Sequence, residues 1–266
     1  SRYRQVTKTD LSNRVKPTRW KIINSEIQDI IKKYCLTPKK FLNVGAGKKN
    51  PYALPILWYL NGAEKIEIIE PDKVDNISAT AGVQELYWDL QCKKGINQNK
   101  EIYKNHISNV LSEQNLLIGK NINKIINKKV MKLQNTSVEK SYLKKNYFDF
   151  IYSRSTLEHL VNVEEVLSKL YFCQNFGGVS YHEVDFTGHD EKNKFWIYFY
   201  EWELDEGSVS NLNGWRISDY KKFYEKLGAK VLIINKVLEN QDLLNKNTIN
   251  KRFRKYSLDE LRVSSA

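Results

Sequence analysis

Two glycines and a carboxylate in the first third of the chain have the types and spacing to hold a nucleoside. Gly45 and Gly47 follow a short apolar stretch, and Glu70 follows a second one. Glycine lacks a β-carbon, so the backbone can turn sharply there and approach a ligand. The carboxylate of Glu70 can accept hydrogen bonds from both hydroxyls of a ribose. The pattern is typical of a parallel α/β sheet that holds an adenosine-containing cofactor.

Histidines further along the chain could move a proton. His182 and His189 flank Asp185. An imidazole titrates near neutrality, and a neighbouring carboxylate can fix its tautomer. We therefore predict His189 as a general base, with His182 and Asp185 as further catalytic candidates. The same three side chains could instead coordinate a divalent ion, but we predict no metal site.

The hydrophobic pattern supplies elements to position these residues. Asn50 can cap a helix whose regular part begins at Pro51 or Pro55 and ends at Gly62. Trp20 to Tyr34 form an amphipathic helix near the start. Strands are predicted at 41–44 and 66–69, and segment 83–90 looks like a third strand.

The residues after the two glycines decide which adenosine cofactor fits. A dinucleotide fingerprint needs a third glycine where this chain has Asn50, and the segment 47–50 lacks the hydroxyl residue of a P-loop. Two glycines without a phosphate cradle, followed by a ribose carboxylate, resemble motif I of the class I S-adenosylmethionine (SAM) dependent methyltransferases.

Later segments extend the resemblance over about residues 41–90 and 147–235. Segment 147–160, YFDFIYSRSTLEHL, is similar to the fourth strand and following helix of type-11-like methyltransferases, and segment 172–186 is similar to their next helix, Gly-Gly turn and fifth strand. Segment 216–234 resembles the last helix of the same fold and a closing strand at 231–234. The resemblance implies a Rossmann-like sheet with helices on both faces and SAM as the cofactor. It also implies that Asp89 approaches the adenine. The implied cofactor-binding residues are Asn43, Gly45, Ala46, Gly47, Glu70, Pro71, Asp89, Leu90, Ser153, Arg154 and His159.

Asn43 departs from the family pattern. Two positions before the first motif glycine, the family commonly has an acidic residue that orients the methionine end of the cofactor. An amide can accept the same hydrogen bonds but adds no negative charge. A catalytically silent homologue therefore remains an alternative.

The segment after the fifth predicted strand is rich in aromatic residues. Trp196 and Tyr200 lie in the run 195–202 and could form a lid over the acceptor, although ordinary packing would explain them as well. Arg216 could bind an acidic substrate or pair with a surface acid.

Composition limits the class of protein. The chain has 266 residues and a formal net charge of +12, with 41% hydrophobic residues, which is typical of a globular protein. No apolar run approaches the roughly 20 residues needed to span a bilayer. The three widely spaced cysteines favour a reducing, cytoplasmic location over a disulfide framework.

Most of the excess charge falls in one segment. Residues 91–147 contain twelve lysines against three glutamates. We interpret 91–146 as a helical insertion with an apolar face toward the core and lysines outward. These lysines could form a plain solvated surface or a docking surface for an anionic partner or nucleic acid, and we favour the former.

We therefore predict an N-terminal helical cap at 1–40, a methyltransferase domain at 41–240 with a substrate lid at 186–214, and a tail at 241–266. The predicted function is SAM-dependent methyl transfer to a small-molecule or sugar-like, possibly anionic, acceptor at oxygen. RNA or protein methylation and a non-catalytic binding role are the alternatives. We predict no membrane partner, and the sequence does not indicate an oligomeric state.

Overall fold

A five-stranded sheet in the order β3-β2-β1-β4-β5 organises the computed structural model. The structure describes residues 19–91, 106–188, 199, 212–233, 235–238, 245 and 247–266. β2 pairs in parallel with both β1 and β3. The strands are β1 Lys40–Val44, β2 Lys65–Ile69, β3 Met131–Gln134, β4 Phe148–Arg154 and β5 Gln174–Glu183. This order confirms the predicted Rossmann-like sheet.

Helices connect the strands. They are α1 Arg19–Lys33, α2 Ala53–Leu60, α3 Asn76–Gln91, α4 Glu113–Leu117, α5 Ile122–Ile125, α6 Val163–Cys173, α7 Ile217–Lys226 and α8 Leu258–Leu261. The structure also has two 3-10 turns, Leu157–His159 and Lys251–Phe253, and a small antiparallel sheet of β6 Val237–Leu238 and β7 Val263–Ser265. None of the helices in the described ranges is long and apolar enough to cross a membrane.

The chain divides into two compact units, and the first comprises Ser1–Tyr152 and Cys173–Tyr181. Its core is aromatic at the centre, where the ring of Trp58 lies 5.0 Å from that of Phe41 and 4.6 Å from that of Phe150. All three side chains are fully buried. Because Phe41 and Phe150 lie on β1 and β4, this cluster fixes α2 against the middle of the sheet.

The second unit comprises Ser153–Phe172 and His182–Ala266. Its apolar cluster consists of Phe199, Ile249, Phe253, Tyr256 and Leu261. The end of the chain runs antiparallel to the residues after β5, since Val184 and Ala266 exchange backbone hydrogen bonds. The predicted tail 241–266 therefore contributes a helix, a strand and core residues to this unit.

The third strand was predicted in the wrong place. Residues 83–90 belong to helix α3, and the third strand of the sheet is Met131–Gln134. Val83, Leu86, Tyr87 and Leu90 are all buried, and their spacing of three and four residues is helical. The predicted insertion 91–146 consequently contains a strand of the central sheet.

Two other boundaries also differ from prediction. β5 begins at Gln174, so Gly177 and Gly178 lie within the strand rather than in a turn before it. The closing strand predicted at 231–234 is wrong for residues 231–233, which have no regular structure. Ile234 lies outside the described residues.

The helical appendages follow the predicted amphipathic pattern. In α1, Trp20 and Ile27 are buried, and the helix packs against α2 and α3. In the described part of the predicted insertion, Ile107, Val110 and Ile122 are buried, whereas Ile118 is 63% exposed. The role of residues 1–40 as an N-terminal cap stays a prediction.

Candidate functional site

A glycine turn follows β1 in the first unit and is hydrogen-bonded to the end of β2. Gly45 and Gly47 have φ values of 66° and 81°, in the left-handed region that disfavours residues with a β-carbon. The N–H of Gly45 donates to the carbonyl of Ile69 over 2.9 Å. A β-carbon at Gly47 would meet no atom within 4 Å, so the outer side of the turn has room for a ligand.

Glu70 lies directly after β2 and holds this turn in place. Its Oε2 accepts the N–H of Gly47 over 2.6 Å, and its Oε1 accepts the N–H of Asp72 over 3.1 Å. The side chain is only 6% exposed. A carboxylate has about four acceptor positions, so each oxygen retains capacity for a ribose hydroxyl.

Asn135 supports the same turn and was missed by the sequence analysis. Its side-chain Nδ2 donates to the carbonyl of Glu70 over 2.7 Å, and it also reaches the carbonyls of Pro71 and Asp72. Asn135 immediately follows β3, which the prediction had placed elsewhere. If β3 had been predicted at residues 131–134, Asn135 would have been recognised as a polar residue at the carboxyl end of a strand and therefore as a candidate for this site.

The Asn50 side chain lies at the N-terminus of α2. Its Oδ1 accepts the N–H of Ala53, the first residue of the helix, over 3.3 Å. The predicted cap at Asn50 is wrong in position, because the N-cap residue is Tyr52, which makes no side-chain cap hydrogen bond. A β-carbon on Gly82 of α3 would clash with the Asn50 amide, so glycine at that position makes room for it. One N–H group at this helix end is therefore engaged by the protein itself.

The remaining predicted cofactor residues of the first unit have different environments. Asn43 is buried on β1 with 2% exposure, next to the glycine turn. Ala46 packs against the core. The predicted adenine contact of Asp89 and the cofactor role of Leu90 rested on a strand end, and both residues instead lie buried in helix α3. The structure thus removes the reason for assigning them to the cofactor.

In the second unit, His182 lies between two hydroxyl groups. Its Nδ1 is 2.8 Å from Ser153 Oγ, and its Nε2 is 3.1 Å from the hydroxyl of Tyr224 on α7. Burial lowers the pKa of His182 to about 4, so the imidazole is neutral at pH 7. A neutral imidazole has one donor and one acceptor nitrogen, and both are engaged here.

Glu158 and Asp185 form a second polar pair in this unit. Glu158 is 4% exposed, and its Oε1 accepts the N–H of Asp185 over 3.4 Å. Burial, with smaller contributions from Asp185 and Glu183, raises the pKa of Glu158 to about 7. The Asp185 carboxylate accepts hydrogen bonds from the N–H and the hydroxyl of Thr187. The ring nitrogens of His182 are hydrogen-bonded to Ser153 and Tyr224.

Arg216, which was predicted to bind substrate, is instead buried in the second unit. It is 1% exposed, and its guanidinium donates to the carbonyls of Phe186, Glu260, Leu261 and Val263. The side chain joins the start of α7 to the last residues of the chain. We correct the prediction accordingly, because a guanidinium committed to buried carbonyls is not available to a substrate.

The other predicted residues are partly described. Ser153 is fully buried, Arg154 forms an ion pair of 3.2 Å with Glu183, and His159 is exposed at the end of a 3-10 turn. Their cofactor roles stay predictions. His189, Trp196 and Tyr200 lie outside the described residues. Within the described ranges, no three His, Cys, Asp or Glu side chains are grouped to hold a metal ion.

The fold and this glycine–carboxylate turn define a Rossmann-like protein with the strand order of class I methyltransferases. No protein-family model matches the sequence, and comparison with curated proteins finds no match.

Three solved structures illustrate the similarity of the fold. The YcgJ protein of Bacillus subtilis is 13% identical, with 76% of this chain and 67% of that chain covered and a TM-score of 0.43. Phosphoethanolamine N-methyltransferase 2 of Haemonchus contortus, solved with SAM, is 13% identical over 85% of this chain and 42% of its own, with a TM-score of 0.46. A complex of the Haloferax volcanii Trm112 methyltransferase activator with a protein described as a methyltransferase matches at 12% identity, 92% and 86% coverage and a TM-score of 0.44. At these values the functional argument rests on the site itself.

Proposed function

We propose that the protein is a SAM-dependent methyltransferase that acts on a small-molecule or sugar-like acceptor at oxygen. The observation that carries this proposal is the Glu70 carboxylate, which is fixed by the N–H of Gly47 in the glycine turn and by the N–H of Asp72 in the loop after β2. Its remaining acceptor positions suit the two hydroxyls of a ribose.

The start of α2 favours SAM over a dinucleotide. A dinucleotide places its pyrophosphate on the first N–H groups of this helix. Here Asn50 stands where the dinucleotide fingerprint has its third glycine, and its side chain accepts one of these N–H groups, that of Ala53. SAM has no phosphate, so it needs only the glycine turn and the ribose carboxylate. Asn43 would face the methionine part of the cofactor as a neutral hydrogen-bonding group.

Bound SAM would supply an activated methyl group for in-line transfer to the acceptor atom, with the bond to sulfur breaking and S-adenosylhomocysteine as the leaving group. The contribution of the protein is therefore to position the acceptor and to exclude water. A hydroxyl acceptor also has to lose a proton. His189 is the proposed general base, with His182 and Asp185 as further catalytic candidates.

Calorimetric titration of SAM and of its demethylated product, S-adenosylhomocysteine, tests the cofactor assignment. The wild-type protein should bind both. Glu70→Gln removes charge-assisted hydrogen bonds and should weaken binding by about 10-fold or more. Glu64→Gln is the matched control, because Glu64 lies just before the opposite end of the same strand and pairs with Lys39 at the surface.

The alternatives give different results in this titration. No binding of either compound at millimolar concentration would overturn the enzymatic proposal and favour a non-catalytic role. Equal weakening by both glutamate variants would show that Glu70 does not form the ribose site.

A further inference from the structure

A row of lysines lines the amino edge of the sheet in the first unit, opposite the edge that carries the glycine turn. Each member begins one of the first four strands or precedes it by a few residues. Since the amino ends of parallel strands meet at one edge, these side chains share that edge. The members, which we call the basic ridge, are Lys39, Lys40, Lys65, Lys128, Lys129, Lys144 and Lys145.

Side-chain contacts and strand pairing connect the ridge across four strands. The Nζ atoms of Lys40 and Lys144 lie 4.8 Å and 5.0 Å from the centre of the Tyr147 ring. Lys40 is the register partner of Lys65, whose Nζ donates to the carbonyl of Lys129 over 3.1 Å. With strands about 4.8 Å apart, the row extends over roughly 14 Å.

The ridge carries a strong positive charge. The stretches that form it, 39–40, 64–65, 128–130 and 144–149, contain seven lysines and two acidic residues. Glu64 pairs with Lys39 over 3.2 Å, and Asp149 accepts the backbone N–H of Lys40. Lysines this close together repel one another, and a bound polyanion relieves that repulsion.

An exposed aromatic ring lies next to the ridge. Phe176, near the start of β5, is 90% exposed. Its N–H donates to Asn175, and the Asn175 side chain donates to the same Asp149 carboxylate that accepts from Lys40. An aromatic face beside a row of lysines is the combination that binds single-stranded nucleic acid, through base stacking and phosphate attraction.

We infer that the basic ridge and Phe176 form a docking surface for single-stranded RNA. The narrow row suits a thread-like polyanion, and it is built from strand ends rather than from the amphipathic helix that lies flat on a membrane. Most single-stranded nucleic acid in a cell is RNA. The surface lies at the sheet edge away from the glycine turn, so the inference does not depend on methyl transfer.

Fluorescence anisotropy with a labelled single-stranded RNA of about 15 nucleotides tests this inference. The triple variant Lys40→Gln, Lys65→Gln, Lys144→Gln should bind at least about 10-fold more weakly between about 0.05 and 0.2 M salt. Its slope of log affinity against log salt should fall by about 2, because roughly 0.7 counterions are released per phosphate neutralised on a single strand.

Two further variants separate ridge binding from general charge effects. The matched control Lys73→Gln, Lys120→Gln, Lys140→Gln makes the same change in net charge at exposed positions of the first unit outside the ridge, and its affinity should change by less than about 2-fold. Phe176→Ala should weaken binding by about 5-fold or more with an unchanged salt slope, since it removes stacking and no charge.

Three results would each overturn the inference. The first is an equal loss of RNA affinity in both triple variants. The others are absence of RNA binding by the wild-type protein, and binding of phosphatidylserine vesicles without RNA binding. A titration with SAM on the ridge variant should match the wild type, so failure here is distinguishable from failure of the cofactor proposal.

Discussion

The buried carboxyl of Glu158 should make stability depend on pH in a defined way. Glu158 is 4% exposed, and its pKa is raised by burial from 4.5 to about 7. The proper comparison is with Glu158→Gln, which keeps the shape of the side chain and can still accept the N–H of Asp185. Unlike the carboxyl, the amide carries no charge at any pH.

The direction and size of the effect follow from the two pKa values. Because the folded state holds the Glu158 proton more tightly than the unfolded state, the wild-type free energy of unfolding gains a contribution that is complete below about pH 4.5 and is lost as the pH rises through 7. The difference between the two pKa values corresponds to about 3 kcal/mol. Relative to wild type, Glu158→Gln should therefore gain about 3 kcal/mol between pH 4.5 and pH 8.

His182 contributes in the opposite direction over nearly the same range. Its pKa is lowered by burial from 6.5 to about 4, so its contribution is present above pH 6.5 and is lost as the pH falls toward 4. The two contributions offset each other in the wild-type protein between about pH 5 and 6.5. Removing Glu158 should consequently expose a stability that rises with pH.

Urea unfolding of both proteins at several pH values between about 4.5 and 8 measures this difference. Glu225→Gln on α7 is the control, since Glu225 is exposed and pairs weakly with Lys221. A constant difference between wild type and Glu158→Gln across the pH range would refute the assignment of a raised pKa to this buried carboxyl.

Three other changes give measurable outcomes. Gly47→Ala should lower the free energy of unfolding in urea by about 1–2 kcal/mol and weaken SAM binding. The control Gly119→Ala, at a similar φ of 67° and an equally open position, should cost the same stability and leave SAM affinity unchanged. Weaker SAM binding by both variants would contradict a local role of Gly47 in the cofactor site. Arg216→Met should lower the free energy of unfolding by about 3 kcal/mol or more, because it leaves several buried carbonyls without their donor; a loss below about 1 kcal/mol would contradict that role. Tyr224→Phe should shift the ¹⁵N resonance of His182 Nε2 in NMR spectra by removing its hydroxyl partner, and an unchanged resonance would contradict the contact.

The local part of the cofactor site could be read from the sequence. Gly45, Gly47 and Glu70 lie within a strand–turn–helix–strand unit whose geometry is set by neighbours in the chain. Glycine supplies the positive φ, and the end of β2 supplies the carboxylate position. Such short-range determinants are visible in residue types and spacing.

The third strand could not be read in the same way. Met131–Gln134 is four residues long, and only Met131 is buried, so its hydrophobic signal is weak within a lysine-rich segment. Residues 83–90 contain a valine, a tyrosine and a tryptophan, which favour strands locally, yet their burial follows a helical period. Packing against neighbouring elements decided the outcome, and with it the role of Asn135.

Arg216 shows a limit of a different kind. Three of its carbonyl partners lie 44 to 47 residues later in the chain. No local pattern distinguishes an arginine that will bind substrate from one that will bind distant main chain. The same applies to His182, whose partners on β4 and α7 come together only in the fold.

A crystal structure of the protein with S-adenosylhomocysteine would test the central claim most directly. Our account predicts that the two ribose hydroxyls lie within hydrogen-bonding distance of the Glu70 carboxylate, with the ligand on the open side of Gly47. A ligand bound elsewhere, or a Glu70 carboxylate that contacts only Gly47 and Asp72 while the ligand is present, would contradict it.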